Sequence, residues 1–241
     1  MKPYSEVVLA VLLSTALFQS TLAFTGEDTK PEEESQRVSK AAQVLDEIMR
    51  ADDHAIPEGL LERAYGIAVI PHVVKGAFIG GGRFGKGLIS TRDGDDWGPP
   101  AFIEIAGGSI GFQIGVEATD LIMVFVEQGG TEALIDDKLK LGADASVAAG
   151  PVGRHAEIGT NFTLDAAIYS YSRSKGVFAG VSLDGSVISA DDSSNHRVYG
   201  AGATTRNILL GNGVSTPEVV QPFFQALEVY APTLETAATD R

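Results

Sequence analysis

No cysteine occurs in the 241-residue chain. That excludes disulfides, thiolate metal sites, cysteine nucleophiles and a cysteine-linked lipid anchor. Histidine spacing offers no substitute, since His54, His72, His155 and His196 form no H-E-x-x-H pattern. No G-x-S-x-G elbow is present. Asp93, Asp95 and Asp96 break the calcium-loop pattern after the third acid and read as a turn. Apart from one short N-terminal run, nothing approaches the ~20 apolar residues of a membrane-spanning helix. Bases are scarce, 18 Lys and Arg against 32 Asp and Glu, for a net charge of −14. Nucleic acid is therefore not expected as a partner. With no catalytic set, metal site or cofactor site in view, a non-enzymatic role is expected.

The chain begins with an apolar run over residues 7–18, preceded by Lys2 and followed by the small Thr21 and Ala23. This is the pattern of an export signal, residues 1–23, cut after Ala23. The expectation is an exported protein, periplasmic or extracellular, peripheral to a membrane. Residues 24–36 are polar and acidic and read as a linker. A single domain over residues 37–231 and a tail over 232–241 complete the chain.

Val38, Ala41, Ala42, Leu45, Ile48 and Met49 recur at helical spacing, and Pro57 is placed to open a second, short helix. From Gly66 the period becomes alternating, in short runs divided by glycine and turn residues. The longest, "AFIEIAGGSIGFQIGVE" (101–117), alternates Ile110, Phe112, Ile114 and Val116 with Gly111 and Gly115. Helical pieces are expected at 129–139 and 191–200. Thr216 and Pro217 then read as N-cap and N1 of a closing helix striped by Val220, Phe223, Phe224 and Leu227. Tyr169, Tyr171 and Phe178 read as sheet packing. The fold class is α+β: a glycine-rich, mainly antiparallel β-sheet with N-terminal helices and a C-terminal helix.

"IGGGRFGKG" (79–87) matches G-x-G-x-x-G through Gly80, Gly82 and Gly85, and most of a phosphate loop through Lys86. Both motifs need a strand-to-helix turn, because the helix N-terminus supplies the N–H groups that grip phosphate. The next residues, "LISTRDGDDWG", have no helical period, and Gly87 stands where the magnesium-binding hydroxyl belongs. Nucleotide is not expected as a ligand, and Lys86→Ala is expected to leave stability nearly unchanged.

Charge is unevenly spread. Residues 24–62 hold eleven acids and four bases, whereas 63–92 hold Arg63, Lys75, Arg83, Lys86 and Arg92 and no acid. Arg173 and Lys175 lie in a second acid-free stretch, 166–183. Such an island attracts an anion or an anionic headgroup. Lys75, Arg83, Lys86, Arg92, Arg173 and Lys175 are accordingly the candidate lipid-binding residues, expected on or near one surface. The alternative is a structural or partner-binding protein whose basic residues are merely solvated.

"RAYGIAVIPHVVKGAFIGGGRFGKGLIS", "GPPAFIEIAGGSIGFQIGVEATDLIMVF", "AGPVGRHAE" and "AIYSYSRSKGVFAGVSLDGSVIS" together resemble the SYLF domain family, over residues 63–200. The resemblance implies a lipid-binding domain without catalytic residues. It also implies phosphoinositide and actin binding in eukaryotic relatives, and export in a bacterial branch. In relatives that insert into membranes the N-terminal helix is basic, whereas here the matching region is acidic, which an anionic membrane repels. The expected partner is an anionic phospholipid or membrane surface of the cell envelope, and actin is not expected.

Overall fold

A computed structural model describes residues 30–51, 55–76, 81–94, 96–109, 116–136, 138–151, 165–174 and 177–232. The first element, α1 (Lys30–Met49), starts inside the stretch read as a linker. Two features account for this. Glu32 and Glu33 sit in the first turn, where the helix dipole favours acids. Glu34 is 1% exposed and held by Arg197. The buried stripe of α1 is Val38, Ala41, Val44, Leu45 and Ile48, while Ala42 and Met49 are half-buried. Pro57 stands as the cap before α2 (Glu58–Leu61).

The sheet starts with β1 (Gly66–Gly76) and β2 (Gly81–Asp93), with a two-residue β3 (Asp96–Trp97) on β2. Next come β4 (Ala101–Ser109), β5 (Val116–Phe125), α3 (Gln128–Asp136), β6 (Lys138–Lys140) and β7 (Val147–Ala149). They are followed by β8 (Ile168–Ser174), β9 (Val177–Gly180), β10 (Ser186–Ala190), α4 (Asp192–Tyr199) and α5 (Thr205–Leu209). A 3-10 turn, Glu218–Val220, leads into α6 (Gln221–Tyr230). Pro217 caps that turn, one step earlier than the N1 role expected of it. Val220, Phe223 and Leu227 are buried as the stripe required, with Phe224 half-buried.

Strand order is β6-β10-β4-β2-β1-β5-β8-β7, with β9 also on β8. Every pairing between these strands is antiparallel except β7 with β8. The run 101–117, read as one strand, is in fact divided between β4 and β5, which are separated in the sheet by β2 and β1. Residues 110–115, the core of that reading, lie outside the described residues.

Side-chain alternation divides the apolar residues between two faces. One face carries Ile67, Val69, Leu88, Phe102, Ile122 and Val124 under α1, α2 and α6. The other carries Ala68, Ile70, Ile89, Ile103, Met123 and Phe125 under α3 and α5. Tyr169, Tyr171 and Phe178 are buried in the first cluster.

β1 is irregular between Val69 and Val74, where its register slips against β2. Pro71 has no N–H to give a neighbouring strand. His72 turns to φ 57 and donates its backbone N–H to Asp120 at 3.0 Å. This bulge explains the glycines opposite it. A Cβ on Gly87 would lie 2.2 Å from the carbonyl oxygen of Val69, and one on Gly85 2.8 Å from Val73. Of the fingerprint residues, Gly80 lies outside the described residues, while Gly82 and Gly85, with Lys86, lie within one continuous strand that has no helix start among them.

Candidate functional site

Because side chains alternate along β2, the candidate cations do not share a face. Lys86 and Arg92 project with Leu88 toward α1, and Arg173 does so from β8 with Tyr169 and Tyr171. Arg83 projects from the opposite face, and its register partner Lys75 goes with it. Lys175 lies outside the described residues.

The three cations on the α1 side are already engaged. Lys86 Nζ donates to Asp191 Oδ2 at 2.8 Å and lies 4.0 Å from Glu104. Arg37 Nη1 reaches the same Asp191 oxygen at 3.0 Å, and Ser194 Oγ lies 2.8 Å from it. Burial pushes the Asp191 carboxyl up, but hydrogen bonds from Lys86, Ser193 and Ser194 outweigh it and hold the group well below the usual carboxylate range. Arg92 donates to the carbonyl oxygens of Ala231 and Pro232, at 2.6 and 3.2 Å, and stacks 4.6 Å from the Trp97 ring. Arg173 pairs with Glu47 of α1, lies 3.7 Å from Asp120 and covers Phe178. These residues clamp α1, α4 and the chain after α6 to the sheet.

Arg83 and Lys75 differ. Arg83 is half-buried, and its Nε and Nη1 have no hydrogen-bond partner among the described residues. Burial alone lowers its pKa from the ordinary arginine value. The row they occupy runs Ser186–Gly107–Arg83–Lys75–Glu117 across five strands. Gly107 is required there, since a Cβ would lie 2.8 Å from Ser186 Cα. Ser186 Oγ is likewise buried without a partner among the described residues. The Arg83 Nε and Nη1 donors are themselves shut off from solvent, and Lys75 is the residue paired with Arg83 on the adjacent strand.

A cleft of about 520 Å³ lies toward the other end of β2, lined by Tyr65, Thr91, Gln128, Thr131, Asp136 and Arg206 among others. Its Arg206 is paired to Asp136. Among the described residues no three His, Asp or Glu side chains converge on a possible metal position. Sequence reasoning missed two residues of the Arg83 neighbourhood. Val74 and Phe84 are register partners on the α1 side, 38% and 50% exposed. Their signal was the alternation Val74-Lys75 and Arg83-Phe84, hidden under the glycine motif.

The described residues thus form a two-faced, mainly antiparallel sheet, layered with helices, whose central strands carry adjacent cations at one end. Residues 106–230 match the family model described as "Ysc84: Las17-binding protein actin regulator", and the chain belongs to this family, the one the SYLF motifs indicated. It is 35% identical over 207 residues to "LAS seventeen-binding protein 3" of Saccharomyces cerevisiae, covering 82% of this chain and 45% of that protein. It is 32% identical over 213 residues to "SH3 domain-containing YSC84-like protein 1" of Mus musculus, covering 86% of this chain and 62% of that protein. The chain therefore spans about half the length of these relatives. They are eukaryotic, and the family description names an actin regulator, which weighs against the expectation that actin is no partner. The expected bacterial branch rests on the N-terminal export pattern alone.

Proposed function

We propose that this domain is a non-catalytic module that attaches to anionic phospholipid surfaces through Arg83 and Lys75. The observation that carries the reading is the pair of adjacent cations, one with unmet guanidinium donors, at the end of the two central strands. Those donors are shut off from solvent in the structure, so a headgroup phosphate would meet them as the guanidinium turns outward, and each base close to an anionic bilayer contributes about 1 kcal/mol. Lys86, Arg92 and Arg173 serve this function indirectly, by fixing the helices to the sheet. Vesicle flotation tests it: mature protein rises with phosphatidylglycerol vesicles, and equal recovery with pure phosphatidylcholine vesicles would oppose it.

The names of the family and its members favour a second reading, a protein-binding module that engages actin or its regulators. Co-sedimentation with actin filaments discriminates, since pelleting that survives Lys75→Glu/Arg83→Glu would favour that class.

Export to a cell envelope is part of the proposal, on the strength of the apolar run 7–18 and the small residues before Phe24. Intact-mass measurement of protein from its native host should show Phe24 as the first residue. A mature chain that retains Met1 would contradict export by this route.

A further inference from the structure

On the α1 side of the sheet, the row next to Arg83 and Lys75 is apolar across five strands: Val187–Ala106–Phe84–Val74–Ala118. Ala106, Phe84, Val74 and Ala118 are exposed, and Val187 is half-buried. The row ends at the sheet edge on Lys140, the register partner of Val187 and itself exposed. One strand end therefore has an apolar row, a row on the other face that sets Arg83 and Lys75 beside Glu117, and a flanking lysine. Gly82 and Gly108, further along β2 and β4, are exposed and leave the sheet thin there.

We infer that this row, with Phe84 at its centre, enters the interfacial zone of an anionic bilayer, while Arg83, Lys75 and Lys140 hold the phosphates around it. The inference rests on the membrane-surface reading above. Its physical basis is the depth relation that governs amphipathic surface segments. Their apolar face sinks roughly 5–10 Å past the headgroups, and cations on the opposing face and flanks stay level with phosphate. Arg83 and Phe84 are consecutive residues of a strand, so their side chains stand on opposite sides of one backbone layer. Long cationic side chains can also bend back toward the headgroups while their stems lie along apolar surface.

A second copy of the chain fits the row less well. One phenylalanine, two valines and two alanines fall short of the roughly 800 Å² per partner that a standard stable interface buries. Cations at the flank and on the reverse face would also repel their own copies, whereas an anionic bilayer attracts them. Among the described residues no helix is long and apolar enough to cross a membrane, and the contact proposed is a peripheral one.

The test places a fluorophore in the row. Trp97 is the chain's single tryptophan and is buried, with Nε1 bonded to the Ala231 carbonyl at 2.8 Å, so it provides a steady background. Full-length Phe84→Trp is titrated with phosphatidylcholine vesicles containing phosphatidylglycerol, with and without brominated acyl chains. Added emission that shifts to the blue and is quenched by bromine is expected. Phe84→Ser and Val74→Ser, each checked for an unchanged Tm, should weaken binding to the same vesicles about tenfold, the loss matching a large apolar side chain left unburied. Vesicle-bound Phe84→Trp without quenching, together with wild-type binding by both serine variants, overturns the insertion and leaves surface attachment standing. Failure of the wild type to bind any vesicle overturns both. A wild-type dimer converted to monomer by Phe84→Ser assigns the row to a second copy and also overturns the inference.

Discussion

Lys86 of β2 and Asp191, 105 residues away at the start of α4, share a hydrogen bond of 2.8 Å. The Asp191 side chain is 3% exposed, while that of Lys86 is 35% exposed. A buried carboxylate that loses one of its cations keeps the cost of its own desolvation. This reverses the expectation drawn from the strand reading of residues 79–87. Lys86 is in a strand, as expected, and it also holds a buried carboxylate. Lys86→Ala should lower stability by about 1–2 kcal/mol, because Arg37 stays on the same oxygen. Denaturant unfolding measures it, and an unchanged midpoint would show the pair to be idle.

The same carboxylate predicts an acid transition. Its folded pKa lies well below the unfolded value of about 4. Between the two values the unfolded chain binds more protons, so stability rises with pH in that window. The contribution is fully present above about pH 4 and is lost as pH falls toward the folded value. Asp191→Asn should flatten the dependence of Tm on pH below about pH 4 while lowering stability at neutral pH. A wild-type and variant difference that is constant from neutral to acid pH would contradict the assignment.

Gly87 supports the bulge in β1. Its hypothetical Cβ meets backbone atoms, the Val69 carbonyl oxygen at 2.2 Å and Ile70 Cα at 2.6 Å, which no side-chain rotation can relieve. Gly87→Ala should therefore destabilise the fold by about 1–3 kcal/mol or more. Gly82→Ala is the control, since its nearest neighbour would be 3.8 Å away. Equal unfolding midpoints for the two variants would refute the close-approach account.

Much of this architecture was legible in the chain. The period change at Gly66, the apolar stripes of α1 and α6 and the turn residues between runs gave an α+β sheet with helices near both ends. The helix over Lys30–Gln36 was not legible, because its reason is tertiary: Glu34 is buried by Arg197 and Ser194, more than 150 residues away. The division of 101–117 between β4 and β5 was hidden for a related reason, since alternation continues through the segment and says nothing about strand partners. The basic island was visible as composition. Which of its members are engaged was not, because engagement depends on Asp191, Glu47 and the Ala231 carbonyl, all remote in sequence. Strand parity alone could have put Arg83 and Lys86 on opposite faces.

The most direct measurement of the central claim is flotation of Lys75→Glu/Arg83→Glu with phosphatidylglycerol-containing vesicles at low salt. Arg63→Glu/Arg206→Glu serves as a control of equal charge change, since Arg63 precedes β1 and Arg206 lies in α5, both away from the Lys75 end. Removing two bases worth about 1 kcal/mol each, and adding two acids, should weaken binding at least tenfold. The control should bind nearly as the wild type does, and wild-type binding should fall as salt rises, because exposed charges are screened over roughly 8–10 Å. Equal binding by Lys75→Glu/Arg83→Glu and the wild type at low salt would contradict the assignment of these two residues to an anionic surface.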